Sequence, residues 1–266
     1  QVEQHFVSPK DEYIYGTGQF QDGYLNIRGL TRRLTQVNTQ ISIPFILSSK
    51  GYGLLWNNYG LTDFNPADQF VELTPANASG EAVTVNTTGT SGNVRETRQT
   101  YSFTASVEVP RSGSYSLLLD VGQRMARKYY LVIDGQKIMD VNNLWLPPTT
   151  SAIVELTAGK HDIEVQGERN DKPVLYWRPV SEETVFRSPV AQMLDYTVFA
   201  GNGDEVIASY RELTGPAPMM PLWSLGYIHC RERYNTQAEL LENAREFRER
   251  KLPIDIIVQD WQYWGK

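Results

Sequence analysis

The sequence predicts a mostly β chain: an N-terminal β-sandwich, a second β-sandwich inserted into it, and then the first β-α-β unit of a (β/α)8 barrel. Three observations predict this. Residues 1 to about 215 fall into short runs of β-branched and aromatic residues bounded by turn residues. Composition shifts near Glu72 and the earlier style resumes near Ala191, so one sandwich reads as an insertion in a loop of another, where loop-closure entropy costs little. Beyond Pro216, a helical pattern lies between two apolar strands. The expected boundaries are 1–72 with 186–215 for the first sandwich, 73–185 for the inserted one, and 216–266 for the barrel start.

The elements follow in order. Ile41 to Leu47 reads as a strand, Ser48 to Gly53 as a turn, and Leu54-Leu55-Trp56 as the next strand. No helix is expected before residue 215. Thr74 to Asn93, rich in Thr, Asn, Ser and Gly, reads as loop and exposed strand. Tyr101 to Val109 and Gly113 to Leu119 then alternate as strands. Asp134-Gly135 joins Tyr129–Ile133 to Gln136–Met139 as a hairpin turn. Ala152–Leu156 and His161–Val165 are expected to pair across Gly159. Gly215 to Pro221 is a proline-rich linker, and Trp223 to Ile228 reads as a strand. Thr236 and Glu239 form a capping box. Leu240, Leu241, Ala244 and Phe247 then recur at helical spacing, with Lys251-Leu252-Pro253 ending the helix. Ile254 to Val258 is a nearly continuous apolar strand, as in a parallel sheet buried on both faces. A lone β-α-β unit cannot bury both faces, so the remainder of the barrel is expected beyond Lys266.

Composition excludes several functions. The net charge of −6, with no basic run, argues against nucleic acid, whose phosphates need clustered Lys and Arg. Apolar runs are too short for a membrane span. Three His and one Cys give no metal-ligand spacing. A single Cys allows no intrachain disulfide. Gly16-Thr17-Gly18 lacks the third glycine and the following helix of a nucleotide loop. No cofactor is expected. The 15 Tyr and 6 Trp suit either sugar platforms or sandwich cores; Tyr129 and Trp145 face the same choice. Asn77-Ala78-Ser79 and Asn86-Thr87-Thr88 are glycosylation sequons of a pattern common by chance. The opening Gln1-Val2-Glu3-Gln4, without Met or signal peptide, suggests a processed or cut chain.

Barrel active sites form at the C-terminal ends of strands. Two segments stand there, His229 to Tyr234 and Gln259 to Trp264. The second puts an acid, an amide and large rings within six residues. A carboxylate accepts hydrogen bonds from sugar hydroxyls, while rings pack on the apolar sugar face. Cys230 reads as a small buried residue rather than a nucleophile, with only adjacent His229 as a candidate base.

Leu213-Thr214-Gly215-Pro216-Ala217-Pro218-Met219-Met220-Pro221-Leu222-Trp223-Ser224-Leu225-Gly226-Tyr227, Arg231 to Gln237 and Pro253 to Trp261 resemble the barrel entry of glycoside hydrolase family 31. Tyr15 to Phe20 and Ile43 to Trp56 resemble that family's N-terminal sandwich. The insert, from Gly113-Ser114-Tyr115 through Asp134-Gly135 to Gly159-Lys160-His161, resembles the lectin-like domain first named for the anthrax protective antigen. That combination is similar to bacterial α-xylosidases acting on xyloglucan fragments. The resemblance implies a retaining, exo-acting α-glycosidase with two catalytic Asp residues beyond residue 266, and no catalytic residue in this chain. It implies that Asp260 binds hydroxyls of the non-reducing-end sugar, that Trp261 and Gln262 shape the pocket, and that Arg233 and Tyr234 lie on the neighbouring loop. It implies an oligosaccharide substrate, the rest of the same polypeptide's barrel as partner, and export to the periplasm, cell surface or medium. An α-glucosidase of the same family is the alternative. A non-catalytic carbohydrate-binding module is the alternative from another class, and a β-rich structural adhesin a third.

Overall fold

The computed structural model describes residues 1–89, 92–122, 126–147, 149–231 and 233–260; within the strands, the side chains of 77–81, 83, 85–89, 92, 93, 98, 126–128 and 142–146 are also outside the description. Two compact units form, residues 1–85 with 97–213, and residues 86–96 with 214–266.

The first unit is β-rich throughout, as its residue types dictate. Strands β1 (Val2–Val7), β2 (Ile14–Gln19), β3 (Arg32–Leu34), β4 (Ile41–Ser48), β5 (Tyr52–Trp56) and β6 (Thr62–Phe64) come first. Then follow β7 (Gln69–Glu72), β8 (Thr74–Gly89), β9 (Gly92–Val109), β10 (Gly113–Asp120), β11 (Ala126–Ile133), β12 (Gln136–Leu146), β13 (Thr149–Leu156), β14 (Gly159–Gly167) and β15 (Val174–Pro179). The chain returns through β16 (Glu183–Ser188) and β17 (Tyr196–Ala200), and ends the unit with helix α1 (Gly203–Thr214).

Sheets β1-β16-β6-β3 and β17-β5-β4-β2 enclose one core, including Ile14, Ile46, Leu54, Trp56, Phe64 and Phe186. Trp56 stacks on Phe186 at 5.4 Å between ring centroids, and its indole N–H donates to Ser188 Oγ at 2.9 Å. Sheets β13-β10-β15-β7 and β12-β11-β14-β9-β8 enclose a second core around Phe103, Tyr115, Leu117, Leu119, Leu131 and Val165. Tyr129 lies in this core, only 1% exposed, so its ring packs and is no sugar platform. The side chains of Trp145 and of the sequon asparagines Asn77 and Asn86 lie outside the described set.

The cores are tied by polar contacts. Thr31 N–H donates to Ser116 Oγ at 2.7 Å, and Ile153 N–H donates to Tyr24 Oη at 2.9 Å. Arg33 bridges Asp63 at 3.2 Å and Asp120 at 2.8 Å. Strand β7 belongs by sequence to the first sandwich region, yet it pairs with β15 of the second, with the Phe70 and Tyr176 rings 5.7 Å apart.

Two expectations fail here for physical reasons. Ala152–Leu156 and His161–Val165 do not pair; β13 joins β10 while β14 joins β9 and β11, so the turn between them crosses from one sheet to the facing one. The alternation that marks both as strands does not choose a partner. Helix α1 also occupies a stretch where no helix is expected. Asn202 Oδ1 accepts from the N–H groups of Asp204 and Glu205 at 3.0 and 3.1 Å, and Glu205 Oε2 accepts from Asn202 N–H at 2.8 Å. That is a reciprocal capping box. Val206, fully buried, and Tyr210, whose ring lies 4.6 Å from that of Phe45, then lay the helix on the sheet.

Gly16-Thr17-Gly18 is a strand irregularity in the β2–β4 pairing. Gly16 and Gly18 have φ of +117° and +104°, and a Cβ on either would come within 2.4 or 2.2 Å of a β4 carbonyl oxygen. Thr17 Oγ1 accepts from Arg32 Nη1 at 2.8 Å, so the motif is structural.

In the second unit, the linker leads to a 3-10 turn (Leu222–Leu225), then β18 (Ile228–Arg231), α2 (Gln237–Glu249) and β19 (Ile256–Gln259). Of the strand expected over Trp223 to Ile228, only Ile228 is in a strand, and the expectation is wrong for the rest. Ser224 N–H and Oγ–H both donate to Pro221 C=O, and Gly226 N–H donates to Trp223 C=O, so local bonds take the backbone groups a strand would offer. Strands β18 and β19 pair in parallel, Ile228 with Ile256 through Arg231 with Gln259. One β-α-β unit is thus in place.

Candidate functional site at the ends of the parallel strands

The site begins with helix α2. Thr236 Oγ1 accepts from Glu239 N–H at 3.1 Å, and Glu239 Oε2 accepts from Asn235 N–H at 2.8 Å, so the expected capping residues fix the helix start. Glu239 Oε1 also lies 3.2 Å from Arg231 Nη1, which ties the end of β18 to the helix. At the other end of α2, Phe247 packs against the rings of His229 at 4.9 Å and Tyr227 at 6.0 Å.

Those contacts decide which face of the strands looks where. Side chains alternate along a strand. Tyr227 and His229 face α2, so Ile228 and Cys230 face away. By register Ile257 lies beside His229, so Ile256, Val258 and Asp260 share the face opposite the helix. In a closed (β/α)8 barrel that face is the interior. Cys230 Sγ lies 3.7 Å from Asp260 Oδ2, which confirms that the two share a face. A thiol is a weak donor. Partial burial, and after it the negative Asp260, raises the Cys230 thiol above its ordinary value. Cys230 is exposed, against the sequence expectation of burial, because it stands on the uncovered strand face. A raised thiol pKa disfavours the thiolate a nucleophile needs.

The remaining sequence candidates divide. Arg233 is half-buried beside the end of β18. Tyr234 is only 3% exposed, with its ring 5.4 Å from the Arg231 guanidinium, and burial raises its phenol pKa. Its carbonyl accepts from Gln259 Nε2 at 3.0 Å, so the loop after β18 is tied to the end of β19. Tyr234 Oη and Gln259 Oε1 are buried without a hydrogen-bond partner among the described residues. Trp261 and Gln262, and likewise Glu232, lie outside the described residues. The sequence gives Arg231, Gln259 and Glu239 no individual role in the site, though the structure ties all three into it. The i, i+3 capping signal marked Glu239 only as a cap; its second bond, to Arg231, depends on how the strand ends against the helix. Among the described residues no group of His, Cys, Asp and Glu could hold a metal ion.

Comparison with known proteins fits this geometry. Residues 217–266 match the model described as glycosyl hydrolases family 31 TIM-barrel domain. An α-xylosidase of Saccharolobus solfataricus is 29% identical over 275 aligned positions, covering 100% of this chain and 22% of the relative. Alpha-glucosidase 2 of Bacillus thermoamyloliquefaciens is 42% identical over 71 residues, 26% of this chain and 9% of the relative. The crystal structure of the family 31 α-xylosidase from Xanthomonas citri superposes with a TM-score of 0.75 at 28% identity, covering 99% of this chain and 33% of that one. The chain thus spans about a fifth to a third of the relatives it matches along its whole extent. Residues 217–266 thus match the barrel domain of glycoside hydrolase family 31, and along its full length the chain is similar to α-xylosidases of that family.

Proposed function

We propose that the chain is the N-terminal part of a retaining, exo-acting α-glycosidase, an α-xylosidase acting on xyloglucan-type oligosaccharides. One observation carries the reading: Asp260 directly follows β19, which runs parallel to β18, and lies on the face turned away from the covering helix. A carboxylate there accepts hydrogen bonds from adjacent sugar hydroxyls, and a charged hydrogen bond made in a water-poor pocket contributes about 1.5–3 kcal/mol. The full-length likenesses to α-xylosidases support xylose as the terminal sugar. The match to α-glucosidase 2 spans only 26% of this chain but at the higher identity of 42%, and it favours glucose as the second reading.

In this proposal the nucleophile and the acid/base lie outside residues 1–266. Retention needs two carboxyl groups about 5 Å apart, one attacking the anomeric carbon and one protonating the leaving oxygen. Asp260 is assigned substrate binding rather than either step. The sandwich at 73–185 is proposed as a lectin-like insertion that lengthens the substrate cleft. Remote binding energy of this kind is used to orient the reacting bond.

The test is direct. Residues 1–266 alone are expected to leave an aryl α-xyloside intact; steady hydrolysis by the purified chain would overturn the placement of the catalytic pair. In the longer protein, Asp260→Ala is expected to lower kcat/KM on that substrate about 10- to 100-fold while circular dichroism is unchanged. Wild-type kcat/KM in that variant refutes the role. Comparing aryl α-xyloside with aryl α-glucoside turnover separates the two sugars.

A further inference from the structure

A second surface, on the first sandwich and remote in sequence from the barrel start, has the chemistry of a glycan site. A groove of about 460 Å³ runs between the loop after β3 and the loop after β5. Its apolar parts come from Leu34, Pro44 and Leu61, and its polar parts from Thr35, Gln36, Ser42 and Asn58. Every lining residue is uncharged. In a chain with 21% charged residues and a net charge of −6, an uncharged groove selects against ionic ligands.

Tyr59 stands at the rim, 103% exposed. Its loop is stitched rather than loose. Asn57 N–H donates to Asp195 C=O at 3.0 Å, Asn57 Nδ2 donates to Asp195 Oδ2 at 2.6 Å, and Gly60 N–H donates to Asn58 Oδ1 at 2.7 Å. The opposite wall is fixed too: Val37 and Gln40 exchange backbone bonds at 3.2 Å, and Gln40 Nε2 donates to Thr35 C=O at 2.8 Å. The walls are therefore held in place while the groups between them are not committed. The Gln36 amide and the Ser42 hydroxyl have no hydrogen-bond partner among the described residues, and Thr35 Oγ1 is buried without one. A pyranose ring matches this lining on both counts. Its C–H face packs on a phenol ring, and its hydroxyls pair with amide and hydroxyl groups. A concave site with an apolar floor and a few placed polar groups is the usual form of a small-ligand pocket.

We propose that this groove, with Tyr59 as its stacking ring and Gln36 as its principal polar contact, binds a neutral oligosaccharide at a site separate from the strand ends that carry Asp260. The proposal does not rest on the glycosidase reading, because it uses only the groove.

The experiment titrates the 266-residue chain with cellotetraose and with a xylose-decorated cellotetraose, using trigalacturonic acid as the charged control, and follows binding by calorimetry and saturation-transfer NMR. Both neutral glycans, or the decorated one alone, are expected to bind. Tyr59→Ala is expected to weaken binding roughly three- to tenfold, the effect of losing one aromatic contact. Gln36→Ala serves as an independent variant, since both side chains are accessible at the groove and neither forms the core. Each variant is checked for an unchanged melting temperature. Absence of binding by both neutral glycans, equal binding of trigalacturonic acid, or Kd values unmoved in both variants overturns the groove. Binding that is lost in Asp260→Ala but kept in Tyr59→Ala likewise overturns it, while leaving the strand-end reading intact.

Discussion

Arg32 and Asp22 form a bidentate pair, Nη2 to Oδ1 at 2.6 Å and Nε to Oδ2 at 2.8 Å, with side chains only 3% and 4% exposed. The Arg32 guanidinium also lies 4.4 Å from the Phe20 ring centroid and donates to Thr17 Oγ1. A buried pair adds little relative to an apolar substitute, but removing one member strands the other as an uncompensated charge, at about 3–5 kcal/mol. Asp22→Ala is therefore expected to lower unfolding stability by about 3–5 kcal/mol in urea titration, and Arg32→Met with Asp22→Leu to recover most of that loss. A single-variant cost below about 1 kcal/mol contradicts the burial. None of this pairing was legible in the sequence. Gly16-Thr17-Gly18 forms a bulge that lets Arg32 reach Thr17, and this use depends on β2 meeting β4, a contact between distant residues. At the candidate site the opposite holds: Asp260 was legible because its place after an apolar run fixes it at a strand end. The face it takes was not, since alternation alone does not tell which side α2 covers; the Phe247 contact with His229 does.

Helices show where local signals suffice and where they were overlooked. The Thr236–Glu239 box predicted α2, and its bonds form as the residue types require. Thr236→Ala is expected to cost about 1 kcal/mol, the value of an N-cap hydroxyl, read as a loss of helix signal at intermediate urea. Thr236→Ser is expected to retain most of that stability, and equal losses in Ser and Ala variants would exclude the cap as the cause. Helix α1 carries the same chemistry in Asn202 and Glu205, followed by Val206 and Tyr210 one turn apart. The signal was present, but the β-rich run up to residue 200 outweighed it. Strands fared differently. The Asp134-Gly135 hairpin was readable because φ values of 49° and 80° suit that dipeptide. The pairing of β13 with β10 was not, because the two are separated by an intervening hairpin and nothing local records the choice.

Across the molecule, two histidines couple the sandwiches to pH. His161, in the second core's sheet, places Nδ1 2.6 Å from Asp134 Oδ2 and Nε2 2.8 Å from Thr157 O. The Thr157 carbonyl first, and Asp134 second, raise its pKa above the ordinary 6.5, with Glu108 adding attraction. His5, on β1 of the first sandwich, lies 2.7 Å from Glu3 Oε1 and 3.2 Å from Glu183 Oε2, and those carboxylates raise its pKa as well. Groups with raised folded values contribute fully below about 6.5 and lose that contribution as pH rises through the folded values. Their partners act in the other direction. Arg187 and then His5 lower Glu3 from its ordinary 4.5, and His161 lowers Asp134 from 3.8, so these carboxylates contribute above those values and lose the contribution as pH falls. Stability of the first unit is therefore expected to peak between about pH 4.5 and 6.5 and to decline towards pH 8.5. Urea midpoints at pH 5.5 and 8.5 measure the decline. The sandwiches share Thr31 and Arg33 contacts, so both histidines are expected to report on one unfolding transition. His161→Asn combined with His5→Gln is expected to flatten the difference between the two pH values. A decline of wild-type size in the double variant would show that other groups set the alkaline limb, and two separate transitions in wild type would show that the seam does not couple the cores.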